Sequence, residues 1–436
     1  MLLCTLGTLA LAGSAQGQSW YSSSWNFRKA ITIDYTKVGS TGAPHTDFPV
    51  LISVTDSDLS ADAQSDGDDI LFTSSNGTTK LDHEIEKYTS GTGALIAWVR
   101  ISSLSATSNT VLYMYYGNGA ASNQQNATGV WSSSYKGVWH LKEDPSGTAP
   151  QIADSTSNAN NGTSAGSMTS GDQIAAKIDG GIDFDGINDV IDCGSAASLD
   201  DQVPFTFSAW AYPRTMGGQS DGRIMHKGST SARKQLQISS GGTDDFALLV
   251  DRATTDADAE GDDSTATLNA WQYVCGTYDA TDGPRVYVDG VEITYRSRDV
   301  GAGTTTSEAA DNFRIGNRPG QDKGWDGYLD EVRVSNVVRS TGWFVTEYEN
   351  QNTPSSFYTV ASEECFTTTW TGTVSTNWFT AGNWNAGVPT STCSVIIPGS
   401  LGNYPSLTAA GAVAADLTVQ SGASLAIGSQ TITVGG

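Results

Sequence analysis

Apolar residues alternate with polar ones in many short stretches of this chain, and turn-forming residues separate the stretches. In residues 47–54, for example, one face is formed by Phe48, Val50, Ile52 and Val54, which is the period of two expected of a β-strand. The 48 glycines and 12 prolines suit many short strands joined by tight turns. The pattern therefore predicts an all-β protein.

Residues 18–133 form the first predicted unit. Its stretches are short and rich in β-branched and aromatic residues, and they fall at residues 31–35, 47–54, 69–73, 81–88, 94–101 and 110–118. Both faces of the last stretch are apolar, so we expect that strand to lie in the middle of its sheet. The unit is predicted to be a small β-sandwich.

Residues 134–362 form the second predicted unit, in which strand signals recur at the spacing of a sandwich. One face of the stretch FTFSAWAYP is formed by Phe205, Phe207, Ala209 and Ala211. The other face is formed by Thr206, Ser208, Trp210 and Tyr212. Asp289 and Gly290 lie between two apolar alternations, which predicts a two-residue hairpin turn with positive φ.

Residues 367–436 step through short strands and glycine turns at near-constant intervals, which predicts the first rungs of a parallel β-helix. The entry is rich in tryptophan and resembles the cap of repeats in bacterial surface proteins, through Trp370, Trp378 and Trp384. The pattern continues to Gly436 without a terminal cap, so we expect the chain to be part of a longer protein.

The apolar stretch at the start of the chain is too short to span a bilayer, and it leads to the small-x-small pattern of Ala15, Gln16 and Gly17. We interpret residues 1–17 as a signal peptide. The mature protein is therefore predicted to be secreted or associated with the cell surface. We expect no membrane-spanning segment in it.

The formal net charge of the chain is -24. A polyanion of this kind is repelled by nucleic acid and by anionic membranes, and no basic stripe offsets the charge. Nucleic-acid binding is therefore excluded as the expected function. An acidic surface does favour calcium, a hard cation that prefers clustered oxygen ligands.

Four cysteines follow the predicted signal peptide, namely Cys193, Cys275, Cys365 and Cys393. An even number in an exported chain permits disulfides, and all three connectivities remain open. Cys365 and Cys393 flank the entry of the last unit, where a disulfide between them would hold that entry in place. No CxxC pair and no HExxH motif occur, and the four histidines are scattered singly, so neither zinc binding nor histidine catalysis is expected.

The first unit resembles a known bacterial module through the ordered segments WNFRKAITID, FPVLISV, DGDDILFT, KLDHEIEKY, AWVRI and YMYYGN. These segments cover nearly the whole unit and are similar to the bacterial surface domain of unknown function 2341. The resemblance implies export and a surface setting. It implies no chemistry.

The second unit carries a different set of ordered fragments, including FDG at residues 184–186, FTFSAW at 205–210, VDG at 288–290 and LDEVR at 329–333. In this order they are similar to the laminin-G-like, concanavalin A-like jelly-roll family. Members of that family bind glycans or proteins, often with a structural calcium, and some accompany hydrolase domains. The resemblance implies a jelly-roll sandwich with a binding role.

The resemblance also implies a calcium site. Related jelly rolls use a Ser/Asn/Gly loop together with the aspartate of the LDEVR segment, which here gives Asp154, Asn158, Asn161 and Asp330. Carboxylate and amide oxygens suit this hard cation. The alternative is a turn whose side chains bond their own backbone.

Four aromatic residues are candidates for stacking on a sugar, namely Trp210, Tyr212, Trp325 and Tyr328. Flat rings with polar neighbours suit carbohydrate. The alternative is that these residues belong to the sandwich core. The sequence does not decide which face is exposed.

Two acidic stretches have spacings that resemble those of functional sites. Asp82, Glu84 and Glu86 alternate and so project from one strand face, where retaining glycosidases hold two carboxyl groups about 5 Å apart. We interpret them as a feature of the first module without catalysis. Residues 256–263 mimic the opening of an EF-hand loop, but Thr267 stands where glutamate is needed, so a solvated acidic loop is expected.

These patterns predict an exported binding or adhesion protein that recognises glycans or surface proteins and performs no catalysis within this chain. The alternative is a carbohydrate-targeting accessory region of a larger extracellular glycoside hydrolase. A downstream domain with paired carboxylates in a cleft would favour the alternative. Further rungs and an anchoring domain would favour adhesion.

Overall fold

The structure is a computed structural model, and it describes residues 19–40, 42–132, 134–229, 232–239 and 244–435. The predicted signal peptide lies outside these residues. The described part of the chain forms 30 strands and four α-helices, so the predicted all-β class is confirmed. None of these helices is long and apolar enough to cross a membrane.

The elements fall into three groups along the chain. The first sandwich contains β1 (Phe27–Ile33), β2 (His45–Thr55), α1 (Ser57–Asp62), β3 (Leu71–Ser74), β4 (Lys80–Leu81), β5 (His83–Thr89), β6 (Ala94–Leu104), β7 (Thr110–Tyr116) and α2 (Ala127–Val130). The jelly roll contains β8 (Tyr135–Trp139), β9 (Thr163–Ala165), β10 (Gln173–Ala175), β11 (Gly180–Asp185), β12 (Val190–Asp192), β13 (Phe205–Pro213), β14 (Arg223–Gly228), β15 (Arg233–Ser239), β16 (Asp245–Val250), β17 (Ala257–Gly261), β18 (Gln272–Asp279), β19 (Gly283–Val288), β20 (Val291–Glu292), β21 (Tyr295–Asp299), β22 (Phe313–Ile315) and β23 (Asp326–Ser335). The remaining elements are α3 (Thr341–Asn352), α4 (Pro354–Phe357), β24 (Tyr358–Val360), β25 (Glu364–Cys365), β26 (Thr368–Thr369), β27 (Val395–Ile397), β28 (Ala412–Ala414), β29 (Leu417–Val419) and β30 (Ile432–Val434).

Two sheets pack together in the first sandwich. Sheet 1 has the order β24-β1-β7-β3-β4, with β25 also paired to β1, and sheet 2 has the order β2-β6-β5. Leu112 and Met114 of β7 are buried in the main core, and Tyr113 and Tyr115 are buried on the opposite face. The prediction that this strand is central in its sheet is confirmed.

Two eight-stranded sheets form the jelly roll. Sheet 3 has the order β10-β11-β23-β13-β18-β19-β20, with β8 also paired to β23, and sheet 4 has the order β21-β17-β16-β15-β14-β22-β12-β9. Phe205 and Phe207 lie in the core between these sheets, whereas Trp210 lies on the other side of sheet 3, as the alternation predicted. The hairpin turn is also confirmed, with φ of 50° at Asp289 and 81° at Gly290.

The chain returns to the first sandwich after the jelly roll. β24 and β25 both pair with β1 and so extend sheet 1. α3 lies against sheet 2, where the Asn350 side chain accepts a hydrogen bond from the Leu51 N–H at 2.7 Å and donates one to the Leu51 carbonyl at 2.9 Å. The second unit is predicted to extend to residue 362, but β24 pairs with β1 of the first sandwich, and α3 packs between sheets 2 and 3. Strands of two or three residues are too short for alternation to reveal them.

The last unit stacks short strands in parallel. β27 lies between β26 and β29, and β30 pairs with β28. Trp370, Trp378 and Trp384 form a small core beneath these strands. The parallel pairing agrees with the prediction of successive rungs.

One of the cysteine pairs is bridged. Cys365 and Cys393 form a disulfide that joins the last unit to β25 of sheet 1. Cys193 and Cys275 are free and buried, so they are wrong as disulfide candidates. Cys193 lies in the jelly-roll core and Cys275 on the opposite side of sheet 3, so a sheet separates the two thiols.

Replacing Cys365 by serine is expected to loosen the attachment of the last unit. The bridge spans a sequence separation of 28 residues, and the chain-entropy model then assigns it about 3.6 kcal/mol of stability. Limited proteolysis in a urea series should release residues 366–436 at lower urea in Cys365→Ser than in the wild type. The transition of the jelly roll, which contains neither cysteine, should stay in place. Release at the same urea concentration in both proteins would contradict the prediction.

Candidate functional site

The outer face of sheet 3, which points away from the jelly-roll core, is divided into two parts. One part is covered by the first sandwich and α3, and Trp210, Tyr273 and Tyr287 are buried there. The other part is open, and Tyr212 and Tyr328 are only half-buried on it. The open part is therefore the accessible region of this sheet.

Four residues lie side by side across the open part, and we call them the aromatic row: Asp183, Tyr328, Tyr212 and Trp271. Strand register places Asp183 opposite Tyr328 and Tyr328 opposite Tyr212, and Trp271 directly precedes β18 on the next strand. The Tyr212 and Tyr328 rings stack with centroids 5.0 Å apart and an interplanar angle of 27°. The Trp271 ring centroid lies 5.7 Å from that of Tyr212. Each of the three rings keeps exposed surface.

Arg214 holds polar groups at one end of the aromatic row. Its Nε donates to Asp326 Oδ1 at 2.9 Å and its Nη1 donates to Asp183 Oδ2 at 2.9 Å. Its guanidinium carbon lies 5.4 Å from the Tyr328 ring centroid. Burial raises the pKa of Asp183, and the charge of Arg214 opposes that rise. The row therefore combines apolar ring faces with carboxylates and a guanidinium.

The backbone beside the row depends on Gly327. Its φ is 138°, and a Cβ at this position would lie 2.0 Å from the carbonyl oxygen of Tyr212. Any other residue would push β23 away from β13 and would separate the two stacked tyrosines. Glycine at this position therefore keeps the row in register.

Two of the four predicted stacking aromatics are wrong. Trp210 is 1% exposed, and its Nε1 donates to Gln351 Oε1 at 2.7 Å in the covered part. Trp325 is fully buried in the jelly-roll core. The other two, Tyr212 and Tyr328, lie in the aromatic row. Alternation alone could not separate Trp210 from Tyr212, because the elements that cover Trp210 come from elsewhere in the chain.

Trp271 was missed as a candidate binding residue. It lies two residues before Tyr273, which points outward from β18. Extending the strand alternation one step toward the amino terminus would have placed it on the outward face. The signal was therefore present in the sequence.

Asp154 is not available as a calcium ligand. Its Oδ1 accepts hydrogen bonds from the N–H groups of Val138 at 3.0 Å and Thr156 at 2.9 Å. Its Oδ2 accepts from the Thr156 hydroxyl at 2.9 Å and from the Asn160 N–H at 2.8 Å. Each carboxylate oxygen therefore has two donors already. This is the alternative in which the loop bonds its own backbone.

The other predicted calcium ligands do not join Asp154 at a common site. Asn161 Oδ1 accepts from the Asp154 N–H at 2.9 Å, and Asn158 Nδ2 donates to main-chain carbonyls of β8. Asp330 is fully buried on the covered part of sheet 3. Its Oδ2 accepts a hydrogen bond from the Ile178 N–H at 2.7 Å. The predicted set is therefore wrong as a ligand set, because hydrogen bonds already hold these side chains to backbone.

The acidic stretch at residues 256–263 is also corrected. Residues 257–261 form β17, with Ala257 and Ala259 in the jelly-roll core. Asp258 and Glu260 alternate with them and point outward, so the charges stay near water. Small alanines made the stretch look uniformly polar, and a strand was not expected there.

Arg333 of β23 is the centre of the covered part. Its side chain is 1% exposed, with Nη2 donating to Glu331 Oε2 at 2.6 Å and Nη1 donating to Glu347 Oε1 at 3.1 Å. Its guanidinium carbon lies 4.5 Å from the Trp98 ring centroid and 4.8 Å from that of Trp131. The jelly roll, α3 and the first sandwich therefore meet around one buried cation.

His140 extends this buried group toward the first sandwich. Its Nδ1 lies 2.6 Å from Glu331 Oε1 and 3.5 Å from Glu86 Oε2, and its Nε2 lies 3.3 Å from Glu84 Oε2. Glu84 and Glu86 belong to β5. The imidazole therefore connects carboxylates of both sandwiches.

Burial and charge together set the pKa values of these groups. Burial raises the pKa of Glu86 to about 8, with Glu331 adding to the rise and His140 opposing it. Burial would also raise the pKa of Glu84, but the charge of His140 and several hydrogen bonds lower it to about 2. Burial lowers the pKa of His140, yet the carboxylates of Glu331, Glu86 and Glu84 outweigh burial and raise it well above its usual value. The imidazole is therefore held in its charged form between carboxylates.

The alternation of β5 anticipated part of this group. Glu84 and Glu86 both face His140, as expected of residues on one strand face. Their partners were not anticipated, because His140, Glu331 and Arg333 come from other parts of the chain. The adjacent acids Asp330 and Glu331, within a mostly apolar strand, were the signal that could have revealed a buried charged group.

Three segments of the chain match known families. Residues 66–145 match the Domain of unknown function (DUF2341), and residues 185–343 match the Concanavalin A-like lectin/glucanases superfamily. These matches confirm the resemblances of the first two units. Residues 369–436 match the Domain of unknown function (DUF8693), and a β-helix repeat family is not shown. Comparison with curated proteins found no match.

Several solved structures match the chain at low identity. Domain 4 of the extracellular arabinanase AbnA from Geobacillus stearothermophilus, in complex with arabinotriose, is 17% identical, with a TM-score of 0.35, over 50% of this chain and 98% of that chain. The CBM40 of a Ruminococcus gnavus IT-sialidase, bound to alpha2,3 sialyllactose, is 11% identical, with a TM-score of 0.26, over 34% and 83%. The binding domain of Paraclostridial Mosquitocidal Protein 1 is 12% identical, with a TM-score of 0.34, over 49% and 52%. The chain thus spans about half the length of that last structure. These likenesses are too distant to bear on function.

Replacing Glu347 by glutamine should strongly destabilise the packing of the jelly roll against α3 and the first sandwich. Glu347 is 2% exposed and accepts hydrogen bonds from Arg333 and from the Tyr273 hydroxyl at 2.7 Å. Removing one partner of a buried ion pair costs about 3 kcal/mol or more, because the other charge stays buried. Urea unfolding followed by tryptophan fluorescence would measure the loss.

Glu349→Gln on the same helix is the matched control. Glu349 pairs with Lys37 at 3.2 Å, and the two side chains are 35% and 37% exposed. Such a pair contributes at most about 1 kcal/mol. Equal losses in the two variants would show that Glu347 has no special role in the interface.

Proposed function

We propose that this chain is an extracellular binding protein whose jelly roll recognises glycans at the aromatic row. The observation that carries the proposal is the set of three neighbouring, half-exposed rings of Tyr328, Tyr212 and Trp271 on the open part of sheet 3. Singly exposed aromatics are common, but three rings in contact across adjacent strands form a continuous apolar surface. Such a surface with polar groups at its edge is typical of a binding site.

The row suits the chemistry of sugars. The flat faces of the rings can cover the C–H groups of a pyranose or furanose, while exposed polar groups meet the hydroxyls. Asp183, Arg214 and Asp326 supply acceptors and donors at one end. Because these groups already hold one another in place, little side-chain entropy is lost when a ligand binds.

The proposal is binding without catalysis in this chain. Hydrolysis of a glycoside needs two carboxyl groups whose environments separate their pKa values. The carboxylates at the end of the row, Asp183 and Asp326, are instead paired with the same guanidinium. This arrangement supports a role in holding hydroxyl groups.

We also propose that the protein is exported and acts at the cell surface. The Cys365–Cys393 disulfide supports this location, since such bonds persist in oxidising compartments. The signal-peptide pattern of residues 1–17 points the same way. Calcium binding stays a prediction, without the ligand set first expected.

The second candidate function uses the same surface. In a carbohydrate-targeting region of a larger glycoside hydrolase, the row would deliver a catalytic domain to its polymer. A gene that continues into a domain with paired carboxylates in a cleft would favour this reading. A gene that continues into anchoring domains would favour adhesion.

Alanine at each ring of the row should weaken glycan binding. A glycan array probed with the chain, with and without calcium, would identify a ligand, and calorimetry would then give its dissociation constant. We expect Tyr212→Ala, Tyr328→Ala and Trp271→Ala each to raise that constant by about tenfold or more, which corresponds to ~1.4 kcal/mol per ring. Melting temperatures would show whether each variant is folded.

Tyr35→Ala is the matched control. Tyr35 belongs to the first sandwich and is 40% exposed. Its loss should leave glycan affinity unchanged. Folded row variants that bind as tightly as Tyr35→Ala would rule out the row as the binding site.

A further inference from the structure

Three donor atoms converge in the buried interface, namely carboxylate oxygens of Glu86 and Glu331 and a ring nitrogen of His140. They lie within 4.8 Å of one another, and all three residues are buried. His140 Nδ1 is 2.6 Å from Glu331 Oε1 and 3.5 Å from Glu86 Oε2. Small side-chain movements would bring all three atoms to about 2 Å from a zinc ion placed between them, which is the distance at which zinc binds nitrogen and oxygen.

An oxygen of this group has no hydrogen-bond partner. Glu86 Oε1 accepts no hydrogen bond from the described residues, although its side chain is 0% exposed. Oδ1 of Asp330, which directly precedes Glu331, is also buried without a partner among those residues. Buried polar atoms nearly always have a hydrogen-bond partner, so we expect an additional group, such as a bound cation, beside these oxygens.

The hydrogen bonds around His140 are those that orient a metal-binding imidazole. Nε2 faces Glu84 Oε2 at 3.3 Å, which leaves Nδ1 to face the other two carboxylates. Glu84 is itself held by Trp131 Nε1 at 2.6 Å and by Ser155 Oγ at 2.7 Å. A carboxylate behind the imidazole is the usual arrangement at metal sites, because it sets the tautomer and the ring orientation.

The two carboxylates are oriented in the same way. Trp98 Nε1 donates to Glu86 Oε2 at 2.8 Å, and Arg333 Nη2 donates to Glu331 Oε2 at 2.6 Å. In each case one oxygen is held by a donor, and the carboxylate is fixed beside His140. The group is therefore preorganised.

Buried carboxyl groups outnumber buried cations at this place. The buried carboxyl groups are Glu84, Glu86, Asp330, Glu331 and Glu347. The buried cations around them are Arg333 and His140. Because a metal ligand must be deprotonated, zinc binding would displace the protons on His140 and Glu86, and the divalent ion would replace the positive charge that leaves with them.

We propose that the interface binds one zinc ion through Glu86, His140 and Glu331, with water as the fourth ligand. One imidazole and two carboxylates suit zinc, whereas calcium takes about six to eight oxygen ligands. The ion joins β5 of the first sandwich to the jelly roll, so its role is structural. The sequence did not indicate zinc, because the three ligands are far apart in the chain and only the fold brings them together.

Metal content and thermal unfolding of the full chain test this proposal. The protein is stripped with a chelator, dialysed, and offered zinc, calcium or magnesium, and bound metal is measured by inductively coupled plasma mass spectrometry. We expect about one zinc per chain and a rise in melting temperature of about 5 °C with excess zinc. Magnesium should produce no comparable rise.

Glu86→Gln is the decisive variant. It keeps the size of the side chain and an acceptor for Trp98, but it removes a charged ligand, so it should lose both the bound zinc and the zinc-dependent rise. Glu84→Gln should keep the site but weaken zinc affinity by about 10- to 100-fold, because Glu84 only orients His140.

Glu349→Gln, in the exposed pair with Lys37, is the matched control and should bind zinc as the wild type does. A wild-type chain that takes up no zinc would overturn the proposal, and this readout does not depend on whether any variant folds. Equal zinc binding by folded Glu86→Gln and the wild type would overturn it as well. Neither result involves glycan binding, so the glycan proposal is tested separately.

Discussion

The packing of the two sandwiches depends on the burial of one cation, the guanidinium of Arg333. A charge removed from water destabilises a protein unless carboxylates and hydrogen bonds compensate it. Here Glu331 and Glu347 supply the carboxylates, and two indole rings of the first sandwich cover the guanidinium faces. Because α3 supplies one of those carboxylates and then leads into β24 and β25, the same contact positions the strands that extend sheet 1. The two sandwiches are thus joined through their connecting chain, through their interface and through a shared sheet.

This packing also decides where a ligand can bind. Both ends of the outer face of sheet 3 carry aromatic residues, but the first sandwich and α3 cover one end. Trp210 is consequently a core residue of the interface, although it lies only two positions from the half-exposed Tyr212 on the same strand face. The proposed glycan surface and the proposed zinc site are therefore two parts of one sheet face, one open and one buried. The first sandwich and α3 bury the part with the zinc site and leave the part with the glycan surface open.

Local patterns predicted the fold well and the candidate site only in part. The alternation of Phe205 and Phe207, and the Asp289-Gly290 turn, were confirmed because strand period and turn chemistry depend on neighbouring residues. The same period placed Tyr212 on the correct face, opposite Phe205 and Phe207. The calcium ligands failed because the hydrogen bonds that occupy Asp154 come from backbone groups of β8 and of its own loop. The local pattern allowed this self-bonding turn as the alternative, but it could not show the bond from Val138 of β8.

The sequence by itself determined the all-β class, the two sandwiches and the stacked last unit, because the periods of apolar residues and the positions of glycine dictate strands and turns. Tertiary structure decided which faces are covered, which cysteines can meet and which buried charges face one another. Cys365 forms a disulfide with Cys393 where β25 returns to the first sandwich, whereas a sheet separates Cys193 from Cys275. Glu86, His140 and Glu331 are brought together by the docking of one sandwich on the other. Such contacts join residues distant in the chain, and only the folded packing brings them within bonding distance.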